Sequence, residues 1–284
     1  MTTRQIRFPD GSRLPAIGQG TWFMGENASE KTREITALRA GLDLGLTLID
    51  TAEMYADGGA ETIVGAALRG RRDEAFLVSK VYPNNAGGQR AVEACERSLK
   101  RLQTDVLDLY LLHWRGGIPL EETIAAMETL QQAGKIRQWG VSNLDVADMN
   151  ELWSLPGGER CMTNQVLYHV ASRGIEFDLL PWCQSRAMPV MAYCPLAQAG
   201  TLRRNLFSHP VITRTAGKYQ VTPAQVMLAW VLRQPGVIAI PKASSVAHVE
   251  ENARALTLVL DSEDIAALDA AFPAPRGKQP LDVV

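Results

Sequence analysis

Short apolar runs alternate along the chain with longer stretches whose apolar residues recur every three or four positions. Eight runs read as strands, over 17–22, 47–50, 76–80, 107–113, 136–142, 163–167, 190–193 and 237–241. The stretches between them read as helices, for example over 29–44, 88–102, 121–134, 144–152 and 223–232. In the first helix Ile35, Leu38 and Leu42 share one face, and in the third Ile124, Met127 and Leu130 do. Ser29 and Thr222 are expected N-caps, and Gly45 and Gly134 expected helix stops. Ahead of the alternation, Ile6-Arg7-Phe8 and Arg13-Leu14-Pro15 flank Pro9-Asp10-Gly11, the pattern of a β-hairpin. Strands apolar on both faces and joined by helical crossovers belong to parallel sheets, and eight in succession imply closure into a barrel. The predicted fold is therefore α/β, a single (β/α)8 barrel with an N-terminal hairpin and two extra helices, within 209–220 and 262–272. No linker-like tract interrupts it. One domain over 1–284 is expected, with about 14–272 as the barrel proper.

Composition narrows the function classes. Lys+Arg number 29 against 31 Asp+Glu, a net charge of −2, which gives no electrostatic reason to expect nucleic acid or an anionic membrane. Residues 1–10 lack the apolar core of a signal peptide, and the longest uncharged stretch, 187–202, is broken by Pro189, Pro195 and Gly200. The four cysteines form no C-x-x-C pair and read as buried free thiols; the four histidines lack metal-ligand spacing. A cytoplasmic, metal-free protein is expected, and a monomer, since no amphipathic feature demands a partner. The basic clusters Arg69, Arg71 and Arg72, and Arg203-Arg204, read as solvated surface.

In a parallel barrel the chemistry sits where the strands end. The second strand ends in Asp50, the third in Lys80 and the fourth in His113, with Tyr55 just beyond Asp50. The fifth ends in Ser142-Asn143, the sixth passes Gln165, the seventh ends at Tyr193 and the eighth reaches Lys242. Taken singly, Asp50 reads as a cap, Lys80 as a strand-end lysine, His113 as a structural histidine and Tyr55 as a packed aromatic. Taken together on one rim they make chemical sense. A lysine cation favours a phenolate, an aspartate holds the lysine, the tyrosine serves as general acid or base, and the histidine bonds a substrate oxygen. Such a set suits reversible carbonyl reduction with hydride from elsewhere. A Schiff-base lyase using Lys80 is equally consistent with a barrel-end lysine. Gly18-Gln19-Gly20-Thr21-Trp22-Phe23 starts like a dinucleotide fingerprint but ends in Phe23 where the last glycine belongs.

The motifs Leu48-Ile49-Asp50-Thr51-Ala52-Glu53-Met54-Tyr55, Val78-Ser79-Lys80, Leu111-Leu112-His113-Trp114, Gly140-Val141-Ser142-Asn143 and Ile240-Pro241-Lys242 resemble the aldo-keto reductase family in order and spacing. The resemblance runs from about Leu14 to Phe272 and is nearest to bacterial members that reduce methylglyoxal and other small aldehydes. It implies NADPH bound without a Rossmann domain and a catalytic tetrad of Asp50, Tyr55, Lys80 and His113. It also implies a cradle in which Ser142, Asn143 and Gln165 bond the nicotinamide carboxamide and Tyr193 stacks on the ring, with Thr21, Trp22 and Asp50 beside them. By the same resemblance Cys194, Pro195, Leu196 and Gln198 run beside the pyrophosphate. Lys242, Ala243, Ser244, Ser245, His248, Glu251 and Asn252 would hold the adenosine end. Trp22, Tyr82 and Trp114 match substrate-pocket positions. Ala243 and His248 stand where the family commonly has serine and arginine, so weaker selection for NADP over NAD is expected. The short loop after Trp114 and the short tail predict an open mouth that admits small carbonyl compounds. A non-catalytic barrel that senses NADPH remains an alternative, since potassium-channel β subunits resemble the same family.

Overall fold

The computed structural model describes residues 4–284. Strands β1 (Gln5–Arg7) and β2 (Arg13–Pro15) pair antiparallel with Ile6 opposite Leu14, and Gly11 takes the positive φ, 88°, that the tight turn needs. Phe8 is buried against the ring of Phe76, 5.9 Å between centroids. Since Phe76 opens a barrel strand, the hairpin caps the end of the barrel opposite the site.

Then follow β3 (Gln19–Gly20), α1 (Lys31–Asp43), β4 (Leu48–Asp50), α2 (Gly59–Ala67), β5 (Phe76–Val81), α3 (Gly88–Leu102), β6 (Leu107–Leu112) and α4 (Leu120–Gln132). The second half comprises β7 (Ile136–Ser142), α5 (Val146–Ser154), β8 (Asn164–Leu167), α6 (Leu179–Gln184) and β9 (Val190–Tyr193). After it come α7 (Thr201–Phe207), α8 (Pro210–Tyr219), α9 (Pro223–Val231), β10 (Val237–Ala239), α10 (Val246–Arg254) and α11 (Ser262–Ala271). Strands β3 to β10 pair parallel in sequence order. The ladder closes where Gly18 N–H donates to Ala239 O at 2.9 Å and Gly20 N–H to Pro241 O at 3.1 Å. A Cβ on Gly20 would lie 2.6 Å from the Ile240 carbonyl oxygen, so only glycine lets the first and last strands meet there. The charged residue inside β6 is accounted for: Asp108, 4% exposed, accepts from Arg72 Nη2 at 2.7 Å and from Leu77 N–H at 2.8 Å.

Three expectations change. The first strand is two residues long rather than six, because the chain turns at Thr21 to follow the rim. Ser29 is not a helix N-cap; Asn27 caps a short 3-10 turn (Ala28–Glu30) by accepting from Ser29 N–H, and α1 begins after it. Three helices, not two, exceed the eight units, because the connection between β9 and α9 contains both α7 and α8. Helix α7 escapes the periodicity because its seven residues bury only Leu206. Thr222, by contrast, caps α9 in a capping box with Gln225, and Gly45 and Gly134 take positive φ at their helix ends. No helix among the described residues is long and apolar enough to cross a membrane.

Candidate active site

Strand ends β4, β5 and β6 carry three of the four candidate residues to one place. Lys80 Nζ, fully buried, donates to Asp50 Oδ2 at 2.7 Å, to Thr51 O at 2.9 Å and to Tyr55 Oη at 2.9 Å. An ammonium has three hydrogens, and each meets an oxygen. Gln165 Nε2 donates to the other carboxylate oxygen, Asp50 Oδ1, at 2.7 Å. Tyr55 and His113 stand edge to face, 5.8 Å between ring centroids, and both line a cavity at the barrel mouth. Lys80 does not line it, so it acts on the cavity only through Tyr55.

Burial pushes the Tyr55 phenol well above its ordinary range, and the Asp50 charge adds to the effect. This corrects the expectation that the lysine wins and lowers it: an ammonium already neutralised by Asp50 has little field left to offset desolvation. The phenol therefore stays protonated, the state a proton donor requires. Burial also lowers Lys80, against the pull of Asp50. His113 is lowered to about 2 by burial and by the neighbouring Lys80, so it is a neutral imidazole, and its Nδ1 is buried without a partner. His169, also buried, is lowered to about 4. Histidines held below the unfolded value of about 6.5 remove stability as pH falls from 6.5, because the unfolded chain binds protons the folded one refuses. Denaturant unfolding near pH 5 is expected to take up about two protons from solvent onto these rings. A midpoint unchanged between pH 6 and 5 would show that they are already charged in the folded protein.

The cavity is lined by most of the expected residues: Thr21, Trp22, Asp50, Ser142, Asn143, Gln165, Tyr193, Cys194, Pro195, Leu196, Gln198 and Lys242, with Trp114 beside His113. The carboxamide cradle is internally bonded. Ser142 Oγ donates to Gln165 O, Asn143 Nδ2 to His113 O, and Tyr193 Oη to Asn143 Oδ1. The backbone is strained here. Of nine non-glycine residues with positive φ among the described ones, Phe23, Asn143, Cys194 and Ala197 line the cavity. Three of the four free cysteines are buried, and the half-buried Cys194, raised to about 11 by desolvation, is no reactive thiolate.

Some of the expected residues lie outside this cavity. Tyr82 does not reach the cavity; it packs edge-on behind Trp114, 5.9 Å between centroids. Ala243, Ser244, Ser245, His248, Glu251 and Asn252 also lie outside it. Of these, Ser245 caps α10 by accepting from His248 N–H, Glu251 accepts from the Thr222 hydroxyl, and Asn252 is buried. Arg203 is not surface but lining, and Phe23, Met54 and Val284 line the cavity too. The tail thus does not leave the mouth bare. Ser172 donates to Asp282, Lys278 pairs with Asp145 and Asp178, and the segment crosses the barrel to place Val284 at the cavity. Having no regular structure, this strap left no periodic signal to read.

The family model for the aldo/keto reductases matches residues 16–272. The chain belongs to the aldo/keto reductase family. Among curated reductases it is 63% identical over 284 residues to methylglyoxal reductase YeaE of Escherichia coli, all of both chains being covered. It is 36% identical over 269 residues to the glyoxal reductase of Bacillus subtilis, 93% of this chain and 91% of that one. Among solved structures, an aldo/keto reductase of Klebsiella pneumoniae in complex with NADP and acetate superposes with a TM-score of 0.97 at 61% identity, and one in complex with NADPH with 0.98, both over 100% of each chain.

The residues of this aldo/keto reductase fit such a dinucleotide. The cavity lining offers the aromatic faces of Tyr193 and Trp22 and the amide of Gln165, whose Oε1 makes no hydrogen bond among the described residues. It also offers two cations, Arg203 and Lys242, while Asp50, its one side-chain carboxylate, is already paired. That set suits a flat ring joined to a polyanion.

Proposed function

We propose that the chain is an NADPH-dependent reductase of small aldehydes and ketones, with 2-oxoaldehydes such as methylglyoxal as the substrate class. The observation that carries this reading is the buried Asp50–Lys80–Tyr55 chain, which brings a protonated phenol to the cavity beside a neutral imidazole. Tyr193 would pack on the nicotinamide, Ser142, Asn143 and Gln165 would hold its carboxamide, and Lys242 would meet the 2′-phosphate. When bound, the reduced nicotinamide supplies a hydride to the carbonyl carbon. The carbonyl oxygen lies between Tyr55 Oη and His113; His113 donates a hydrogen bond that orients it, and Tyr55 gives its proton as negative charge develops there. Lys80, fixed by Asp50 and Thr51, is a positioning residue: it stabilises the phenolate left behind. Trp22, Phe23, Met54 and Trp114 form an apolar wall that accommodates a short carbon chain and keeps water from the reacting centre.

The geometry disfavours a Schiff-base lyase, whose lysine would have to be neutral and open to substrate, whereas Lys80 Nζ is enclosed by three oxygens behind Tyr55. An NADPH-sensing role without turnover is disfavoured by the completeness of the proton-donating set. One domain over 1–284 is part of the proposal, supported by the continuous ladder and the extent of the family match. So are a cytoplasmic location, consistent with four free cysteines, and a monomer, consistent with exposed large apolar residues scattered over different elements. Mixed with NADPH and methylglyoxal, the protein is expected to bleach the nicotinamide absorbance at a rate proportional to enzyme. No bleaching with any short-chain aldehyde would overturn the reading.

A further inference from the structure

Behind the wall of the cavity lies a second buried ion pair, one that the proton-donating set does not include. Glu61, on α2, is fully buried and accepts at both carboxylate oxygens. Ser79 Oγ donates to its Oε1 at 2.6 Å, and Arg101 Nε, from α3, donates to its Oε2 at 2.6 Å. Arg101 Nη2 also reaches Ser98 Oγ at 3.3 Å. Ser79 precedes Lys80 in β5, so the two side chains leave the strand on opposite faces. None of Glu61, Ser79 and Arg101 lines the cavity.

The pair sits where the chain needs holding. Tyr55 is followed by Ala56, Asp57 and Gly58 with φ of 51°, 50° and 86°. Ala56 and Asp57 are the one consecutive pair of non-glycine residues at positive φ among the described residues. Such a conformation persists only where its surroundings impose it. At Gly58 that surrounding is Arg101: a Cβ there would lie 2.4 Å from Arg101 Nε, so the guanidinium rests on the backbone of the loop. Helix α2 is seated on the same residue, since a Cβ on Gly65 would stand 2.6 Å from Arg101 O. Gly58, Glu61 and Gly65, spaced by three and four, thus turn one face to Arg101. Glu61 thereby joins the segment that delivers Tyr55 to the strand that delivers Lys80, and its charge adds to that of Asp50 in holding the Lys80 proton.

We propose that Glu61 and Arg101 are positioning residues for the proton donor: with Ser79 they clasp the loop from Tyr55 to Gly58 against β5 and hold Tyr55 Oη at 2.9 Å from Lys80 Nζ. The inference rests on the reading of Tyr55 as the acid. A buried carboxylate that accepts from a guanidinium and a hydroxyl at once has little freedom, so the loop cannot shift along the strand without breaking charge-assisted bonds. Misplacing a reacting group by about 1 Å costs about a hundredfold in rate, even when the altered residue is remote.

A double-mutant cycle on the full chain separates positioning from support of the fold. Arg101→Met is expected to lower kcat for methylglyoxal by about 10–100-fold, with the NADPH dissociation constant within about twofold of the parent. In the Tyr55→Phe background the same substitution should change the residual turnover by less than about twofold, because the group it positions is gone. The thermal midpoint should fall in both backgrounds, so turnover is read well below it. Ser79→Ala leaves the ion pair whole and takes the place of Arg101→Met if that variant does not fold. It should lower kcat by about threefold, again only where Tyr55 is present. An equal loss in both backgrounds would show that the pair merely supports the fold, and the proposal falls. An unchanged kcat, or a weakened NADPH affinity without loss of kcat, overturns it as well. A Tyr55→Phe enzyme with near-parental turnover would instead sink the reading of Tyr55 as the acid, a separate result.

Discussion

Tyr55→Phe is expected to lower kcat for methylglyoxal reduction by about a thousandfold or more while leaving NADPH affinity within a few-fold of the parent. General acid catalysis contributes about 10²–10⁴ on its own. Here the same oxygen is also an acceptor for Lys80 Nζ at 2.9 Å, so removing it cuts the link through which the buried cation influences the substrate. The phenylalanine ring fills the same space between Trp22 and His113, whose centroids lie 6.4 and 5.8 Å from the Tyr55 ring, so the cavity keeps its shape. Single-turnover kinetics alongside equilibrium binding separate the two effects. A variant with near-parental turnover would mean that the proton comes from another group.

Lys80→Met attacks the same network from behind and is expected to show in stability as much as in rate. Asp50 is 2% exposed, and its Oδ2 would be left facing a thioether with only Gln165 still bonded to the carboxylate. Breaking a buried pair from one side costs about 3–5 kcal/mol, because the orphaned charge remains desolvated. For a chain of this size that lowers the thermal midpoint by roughly 5–15 °C. Asp50→Asn combined with Lys80→Met should recover part of the loss, since the two residues are in contact and their effects cannot add. Strict additivity would show that the ion pair does not hold the site together. In both variants turnover should fall much as in Tyr55→Phe, although the tyrosine is intact, because the phenolate loses its stabilising cation.

What could be read in the sequence follows from how local each signal is. A parallel strand ends where its apolar run ends, and the next residue faces the mouth; Asp50, Lys80 and His113 were legible for that reason. The closure of the barrel was implied by counting, but not the shortness of β3, which depends on Gly18 and Gly20 meeting residues more than two hundred positions away. Tyr82 matched a pocket position only through the family resemblance, and whether it faces the cavity or Trp114 is a tertiary matter. Arg203 looked like half of an exposed basic pair because its helix is too short to show a periodicity. The tail was legible only as length. Its role at the mouth arises from the pairing of Lys278 and Asp282 with residues of distant loops.

The direction of the Tyr55 shift sharpens the chemistry. A buried phenol raised above its ordinary value keeps its proton across neutral pH, and His113, lowered to about 2, does not gain one. Neither group therefore titrates between about pH 5 and 8, a range in which ordinary histidines do.

The central claim is that a hydride from the nicotinamide and a proton from Tyr55 meet on one carbonyl. Reduction of methylglyoxal with NADPH deuterated at the transferable position, followed by mass spectrometry of the product, tests it most directly. One deuterium on the new carbinol carbon, with far less of that labelled product formed by Tyr55→Phe over the same single-turnover interval, is the result the structure predicts. A product that forms without deuterium, or forms equally well when NADPH is left out, would contradict it.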